Sequence, residues 1–229
     1  VYETGYAEAE GIAFGIEKNI NDGYAYNDCA ILYRTNAQSR AIEEKLLGHN
    51  IPYRIYGGIN FYSRKEIKDI LAYLKTIDNG MDEIAVRRIL NVPKRGIGAT
   101  SVGKIQAYAD EKNIGFYEAL KQAEDVPGLG RSASKIKPFT DMIRLFRAEL
   151  HELSIVKLIN DIIEKTGYMD YLAENDSPEE VEERRANIDE LISKAATYED
   201  GEETPTLSGF LEEVALVADI DNMDDNNNV

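Results

Sequence analysis

Beyond residue 64 the sequence carries one periodicity, and it is helical. Arg64–Lys75 sets Ile67, Ile70, Leu71 and Leu74 at i, i+3, i+4 and i+7, a single apolar face of an α-helix. Segments 83–90, 100–111, 115–123, 136–150, 154–165, 179–197 and 206–217 repeat the pattern, most clearly in Phe139, Met142, Ile143, Phe146 and Leu150. Loops at Pro93-Lys94-Arg95-Gly96, Pro127-Gly128, Ser177-Pro178 and 201–205 separate them. A mainly α fold is predicted for this part. The last stretch, 219–229, is acidic and asparagine-rich with no period, which predicts a linker at which the chain has been cut.

Before residue 57 the pattern differs. Val1–Thr4 suits a short strand, and a helix follows from about Ala7 to Ile20 with Ile12, Ile16 and Ile20 on one face, ended by Asp22-Gly23. Cys29–Tyr33 is a continuous apolar run too short for a helix, as a buried parallel strand would be. Thr35 or Asn36 caps the next helix, which turns Ala37, Ile42, Leu46 and Leu47 inward, and 52–56 makes a second strand. Strand–helix–strand with short links predicts a partial α/β piece, half of a sheet domain. Gly57-Gly58 then serves either as a strand-ending turn or as a hinge between the α/β and helical parts.

Composition bounds the chemistry. At 229 residues the chain holds one large domain or two small ones. No apolar run approaches the roughly 20 residues of a membrane span, and no leader with a cleavage site is visible. Cys29 stands alone, and His49 and His151 lie far apart without ligand clusters, so neither a disulfide nor a zinc site is expected and a reducing cytoplasm suits the chain. A net charge of −16 argues at face value against nucleic acid. That charge is uneven, however: residues 51–105 carry ten basic against five acidic side chains, while 174–203 carry twelve acidic against three basic. The acidic run reads as a solvated helix face.

Motifs for nucleotide chemistry are missing. There is no Gly-x-x-x-x-Gly-Lys-Ser/Thr loop, no dinucleotide fingerprint and no Ser/His/Asp set, so no catalytic residue is expected. The most specific local signal is Val92–Ile105, where Gly96-Ile97-Gly98 joins one helix to the next. A helix–hairpin–helix of this kind aims backbone N–H groups and a helix N-terminus at one point, where Lys94, Arg95 and Lys104 add charge and Thr100 or Ser101 a hydroxyl. Such a contact reads backbone and not bases. The alternative is a plain connection whose glycines serve geometry. Gly128-Leu129-Gly130 through Lys135 echoes the hairpin with spacing one residue shorter, a candidate second phosphate site. Arg34, Thr35 and Asn36 follow the first strand-like run, where open α/β sheets place ligands; a capped helix start is the other reading.

Tyr33–Arg40, Tyr53–Gly58, Phe61–Leu74, Pro93–Gly98, Ala186–Leu191 and Phe210–Leu216 together resemble the UvrD/Rep/PcrA superfamily 1 DNA helicases, PcrA-type most of all, over nearly the whole chain. The resemblance implies that residues 1–57 belong to motor subdomain 2A, 58–224 to the helical 2B insertion, and 225–229 to the return toward 2A. It implies single-strand contacts for Arg34, Thr35 and Asn36, and a duplex-phosphate contact for Gly96, Ile97, Gly98 and Thr100 or Ser101. Gly57-Gly58 and 224–226 become the hinge about which 2B swings to regulate unwinding. A bacterial, cytoplasmic protein that joins the nucleoid on DNA is implied, with ATP and magnesium in the parent helicase. The nucleotide and magnesium residues of the family have no counterpart here, so this piece alone is expected to be inactive, to need no cofactor and to hold duplex and single-stranded DNA weakly. Accessory repair or replication proteins are implied partners. The competing function is a helical protein-interaction or autoinhibitory module that binds no DNA.

Overall fold

The computed structural model describes Tyr2, residues 4–55 and residues 59–224. Val1 and Glu3 of the expected first strand, the Gly57-Gly58 hinge and residues 225 and 226 lie outside the described residues. Eleven α-helices follow one another among those described: α1 Gly5–Asn21, α2 Ser39–Gly48, α3 Lys65–Asp78, α4 Glu83–Ile89, α5 Ala99–Lys112, α6 Phe116–Lys121, α7 Arg131–Glu149, α8 Ile155–Thr166, α9 Tyr168–Asn175, α10 Pro178–Gly201 and α11 Leu207–Asp224. The chain is mainly helical, as the periodicity predicts, and no helix among the described residues is long and apolar enough to cross a membrane. It divides into two compact units. One comprises Val1–Ile67, Glu182–Leu191 and Glu212–Val229, the other Lys68–Val181 and Ile192–Leu211.

In the first unit Thr4 caps α1 by accepting a hydrogen bond from the Ala7 amide. Ala13 and Ile16 of α1 meet Leu46 of α2 and Ile51, and Ile12, Ile20, Cys29, Ile31, Ile42 and Tyr53 pack around them. The two expected strands do not form: 29–33 and 52–55 are irregular, and no β-strand is present among the described residues. A strand exists only as half of a ladder. Cys29 and Ile31 gain their burial by packing on helices, while Leu32 between them is 95% exposed.

The α1–α2 contact also contains a titrating group. His49, which follows α2, places Nδ1 2.8 Å from Glu17 and Nε2 3.2 Å from Glu10, whose other oxygen lies 2.5 Å from Lys45. The hydrogen bond to Glu17 and the neighbouring Glu10 raise the imidazole pKa above its ordinary value against the opposing pull of burial. A raised folded pKa means that the protonated ring stabilises the fold fully below about pH 6.5, the unfolded value. That contribution is lost as pH rises through the folded pKa. Melting curves from about pH 5.5 to about pH 8.5 are therefore expected to show a falling advantage of the native chain over His49→Gln. A difference independent of pH would sink this assignment.

The second unit is built on long apolar side chains. Tyr73, Phe116, Phe139, Phe146 and Tyr168 are almost wholly inaccessible. Asp82 caps α4 and Ser154 caps α8 through their side-chain oxygens, and Ser177 and Glu180 form a reciprocal box at the start of α10. Buried Asp69 accepts from Arg88 Nε at 2.6 Å and from the Tyr168 hydroxyl at 2.7 Å, joining α3, α4 and α9. Three boundaries differ from the sequence expectation. Helix α7 begins at Arg131, five residues before the expected start, and continues through Pro138. Helix α9 was not foreseen: left-handed Gly167, at φ +67°, ends α8 and opens a helix of only eight residues, too short to show a period. Helix α11 runs through Asp224, so the expected linker is helical over 219–224.

Candidate nucleic-acid interface

The predicted hairpin lies in the second unit, between α4 and α5. Asn91 Oδ1 accepts from the backbone N–H of Arg95 at 2.7 Å and of Ile97 at 3.3 Å, which folds 91–97 into a tight turn. Gly96 has φ +70°, a conformation that costs a residue with a Cβ about 1–2 kcal/mol. Ile97 is buried and pins the turn to the core. Gly98 then caps α5 with extended backbone, φ −88° and ψ 168°. The Ser101 and Val102 amides close on the Gly98 carbonyl at 3.0 and 3.2 Å. The Gly98, Ala99 and Thr100 amides find no acceptor among the described residues, and all three residues are exposed. A Cβ at Gly98 would meet nothing within 4 Å.

The echo at 128–135 is a second helix-leading turn, hydrogen-bonded to the first. Gly128 has φ +71°, Leu129 is buried as Ile97 is, and Gly130 precedes α7. The two are cross-linked reciprocally: Lys104 of α5 donates to the Gly128 carbonyl, and Lys135 of α7 to the Gly96 carbonyl at 3.1 Å. Ser101 and Ser132 join their hydroxyls at 2.8 Å. Lys94 is exposed and reaches Asn175 Oδ1 at 3.3 Å. Arg95 is turned differently. Its Nη1 donates to the Ile89 carbonyl at 2.8 Å and to the Leu90 carbonyl at 3.2 Å, and its Nη2 to the Tyr73 hydroxyl at 2.6 Å.

In the first unit Arg34 and Thr35 are exposed, and both backbone amides donate to Gln38 Oε1, at 2.9 and 3.2 Å. Asn36 donates to Glu183 at 2.5 Å, so its amide is engaged within the protein. Behind this turn lies a charged network that sequence reasoning missed. Arg64 donates to Ser39 and to Asn187, each at 2.8 Å; Asn187 donates to Glu66 at 2.6 Å; Arg184 donates to Glu66 at 2.7 Å. Arg40 lies 3.0 Å from Glu44 and 2.8 Å from Glu190. Burial alone would depress the Arg40 pKa, but those two carboxylates raise it; for Arg64 burial prevails and lowers it. Residues 174–203 are therefore not wholly a solvated face, since Asn187 and Lys194 are buried. The signal available in the sequence was Arg40 standing three and four residues from Glu43 and Glu44.

Among the described residues no group of three or more His, Cys, Asp or Glu side chains is placed to hold a metal ion.

In a mainly helical chain, two helix-linking turns cross-linked by Lys104 and Lys135 thus leave three exposed amides with no acceptor among the described residues. The chain belongs to the UvrD-like helicase C-terminal domain family, whose pattern it matches over residues 2–229. It is 42% identical over 224 residues to the ATP-dependent DNA helicase PcrA of Staphylococcus epidermidis, which covers 97% of this chain and 31% of that protein. The Staphylococcus aureus helicase of the same name is 42% identical over the same length, 30% of it being covered. The chain thus spans less than a third of the length of these relatives.

Proposed function

We propose that this chain is the duplex-binding and regulatory part of an ATP-dependent 3′–5′ DNA helicase acting in repair or replication. Residues 1–57 belong to motor subdomain 2A and 58–224 to the 2B insertion, which turns about the chain at 57–58 and 224–226. ATP and magnesium act elsewhere in the parent enzyme. One observation carries the reading: among the described residues the amides of Gly98, Ala99 and Thr100, all exposed, have no acceptor, at a glycine that no internal contact requires. Backbone amides at a helix start, with Lys94 and Lys104 at hand and the Thr100 and Ser101 hydroxyls beside them, suit a phosphate and read no bases. The second hairpin offers a matching contact through Lys135. Arg34, with Thr35 and Asn36, serves the single strand. Accessory proteins and a place on the nucleoid belong to the same reading.

The test is a titration of labelled duplex with the 229-residue chain over a salt series. If three lysines each neutralise one phosphate, affinity falls about 40-fold between 50 and 200 mM salt. Absence of binding even at low salt would favour the second reading, a protein-docking module, for which Met81 and Ile84, each 81% exposed, are the natural contacts.

A further inference from the structure

We propose that Arg95 is a positioning residue that holds the phosphate-accepting turn in shape, and that its charge takes no part in the DNA contact. The proposal rests on the duplex reading above and reassigns one residue within it. A guanidinium recognises a phosphate by presenting parallel N–H donors to it. Here those donors point into the protein. Nη1 serves the last carbonyls of α4, Ile89 and Leu90, and lies 3.3 Å from the Val92 and Pro93 carbonyls. Ile89 and Leu90 close α4 at the negative end of its dipole, and the Ile89 carbonyl also accepts from the Val92 amide at 3.2 Å.

Nη2 meets the hydroxyl of Tyr73, a fully buried side chain whose own proton goes to the Val92 carbonyl at 2.7 Å. The guanidinium carbon also sits 5.1 Å from the centre of the Phe139 ring. Asn91 completes the frame from the other side by accepting the Arg95 and Ile97 amides. Both flanks of the turn are thereby fixed before Gly98, and the three bare amides that follow are preset. Lys94, next in sequence, reaches only one amide oxygen on an exposed surface and keeps its charge for a ligand.

The two roles separate in a salt series. A cation that contacts a phosphate contributes about one unit to the slope of log K against log salt, whereas a residue that only shapes the site contributes nothing to it. Arg95→Met, Arg95→Lys, Tyr73→Phe and Lys94→Met are titrated with duplex, and amide hydrogen exchange is followed without DNA. Both Arg95 variants are expected to weaken binding about tenfold at every salt concentration, with the native slope, and to speed exchange at Ile97. Lysine does not rescue, because it keeps the charge and loses the fork. Tyr73→Phe moves the same quantities less and preserves the core, which keeps the test decisive if an Arg95 variant fails to fold. Lys94→Met lowers the slope by about one and leaves exchange at Ile97 unchanged. A slope lowered by about one in Arg95→Met, full binding by Arg95→Lys, or unchanged exchange in all three turn variants would overturn the proposal. Failure of the native chain to bind duplex would instead remove the duplex reading, and the exchange arm would still report whether Arg95 holds the turn.

Discussion

Gly98→Asp is expected to abolish duplex binding while leaving the melting temperature unchanged or slightly raised. The fold has no objection to the substitution: the backbone at Gly98 is extended, and an added Cβ meets open space. As the residue that caps α5, aspartate is preferred over glycine by a few tenths of a kcal/mol. A carboxylate at a helix N-terminus adds about 0.3–1 kcal/mol through the helix dipole. The same carboxylate takes the amide of Thr100, the second residue of the helix, for itself and sets a negative charge where a phosphate would sit. Two like charges about 4 Å apart at an effective dielectric near 20 repel by about 4 kcal/mol. Salt screening leaves enough of this for a loss of about a hundredfold or more. Anisotropy titration beside a thermal melt reads both quantities. Binding within about twofold of the native chain would remove this turn from the interface.

Gly96 and Gly98 look alike in sequence, yet they are glycines for different reasons. The first has a left-handed backbone that the turn requires; the second has an ordinary backbone with open space around it, so the fold itself does not require a glycine there. Most helices, and the tight turn between two of them, could be read from the sequence, because a period of 3.6 and a Gly-x-Gly interruption are local properties. Directions of side chains are not local. Arg95 sits beside the hairpin in sequence as a candidate phosphate ligand, and only the placement of Tyr73 and the end of α4 turns it inward. Likewise Cys29–Tyr33 has the composition of a buried strand, but composition supplies no neighbouring strand, and among the described residues the segment stays irregular. In α3, Glu66 and Asp69 interrupt an apolar pattern and would be assigned to solvent, yet each is 2% exposed or less. Glu66 is matched by Arg184 and Asn187, more than a hundred positions later, and Asp69 by Arg88 and by the distant Tyr168.

Glu66→Leu is accordingly expected to destabilise the first unit by about 3–5 kcal/mol, the usual cost of stranding a buried ionic partner. Both oxygens are used, one by Arg184 and one by Asn187, whose own oxygen is held by Arg64. Leucine takes this carboxylate away from the partly exposed Arg184 and from the buried Asn187 amide, and leaves Arg64 without a firmly oriented acceptor. The same carboxylate at a surface would be worth about 0–1 kcal/mol, so the size of the loss decides how dry the network is. The chain contains no tryptophan, so denaturant unfolding is best followed by far-ultraviolet circular dichroism. A double variant, Glu66→Leu with Arg184→Leu, is expected to recover part of the loss, because it removes the stranded charge together with its partner. Full additivity of the two single losses would mean that Glu66 and Arg184 act through water and not on one another. Recovery would identify the network as the element that fixes how the start of α3 meets α10, and so holds Glu183 against Asn36 at the turn assigned to single-stranded DNA.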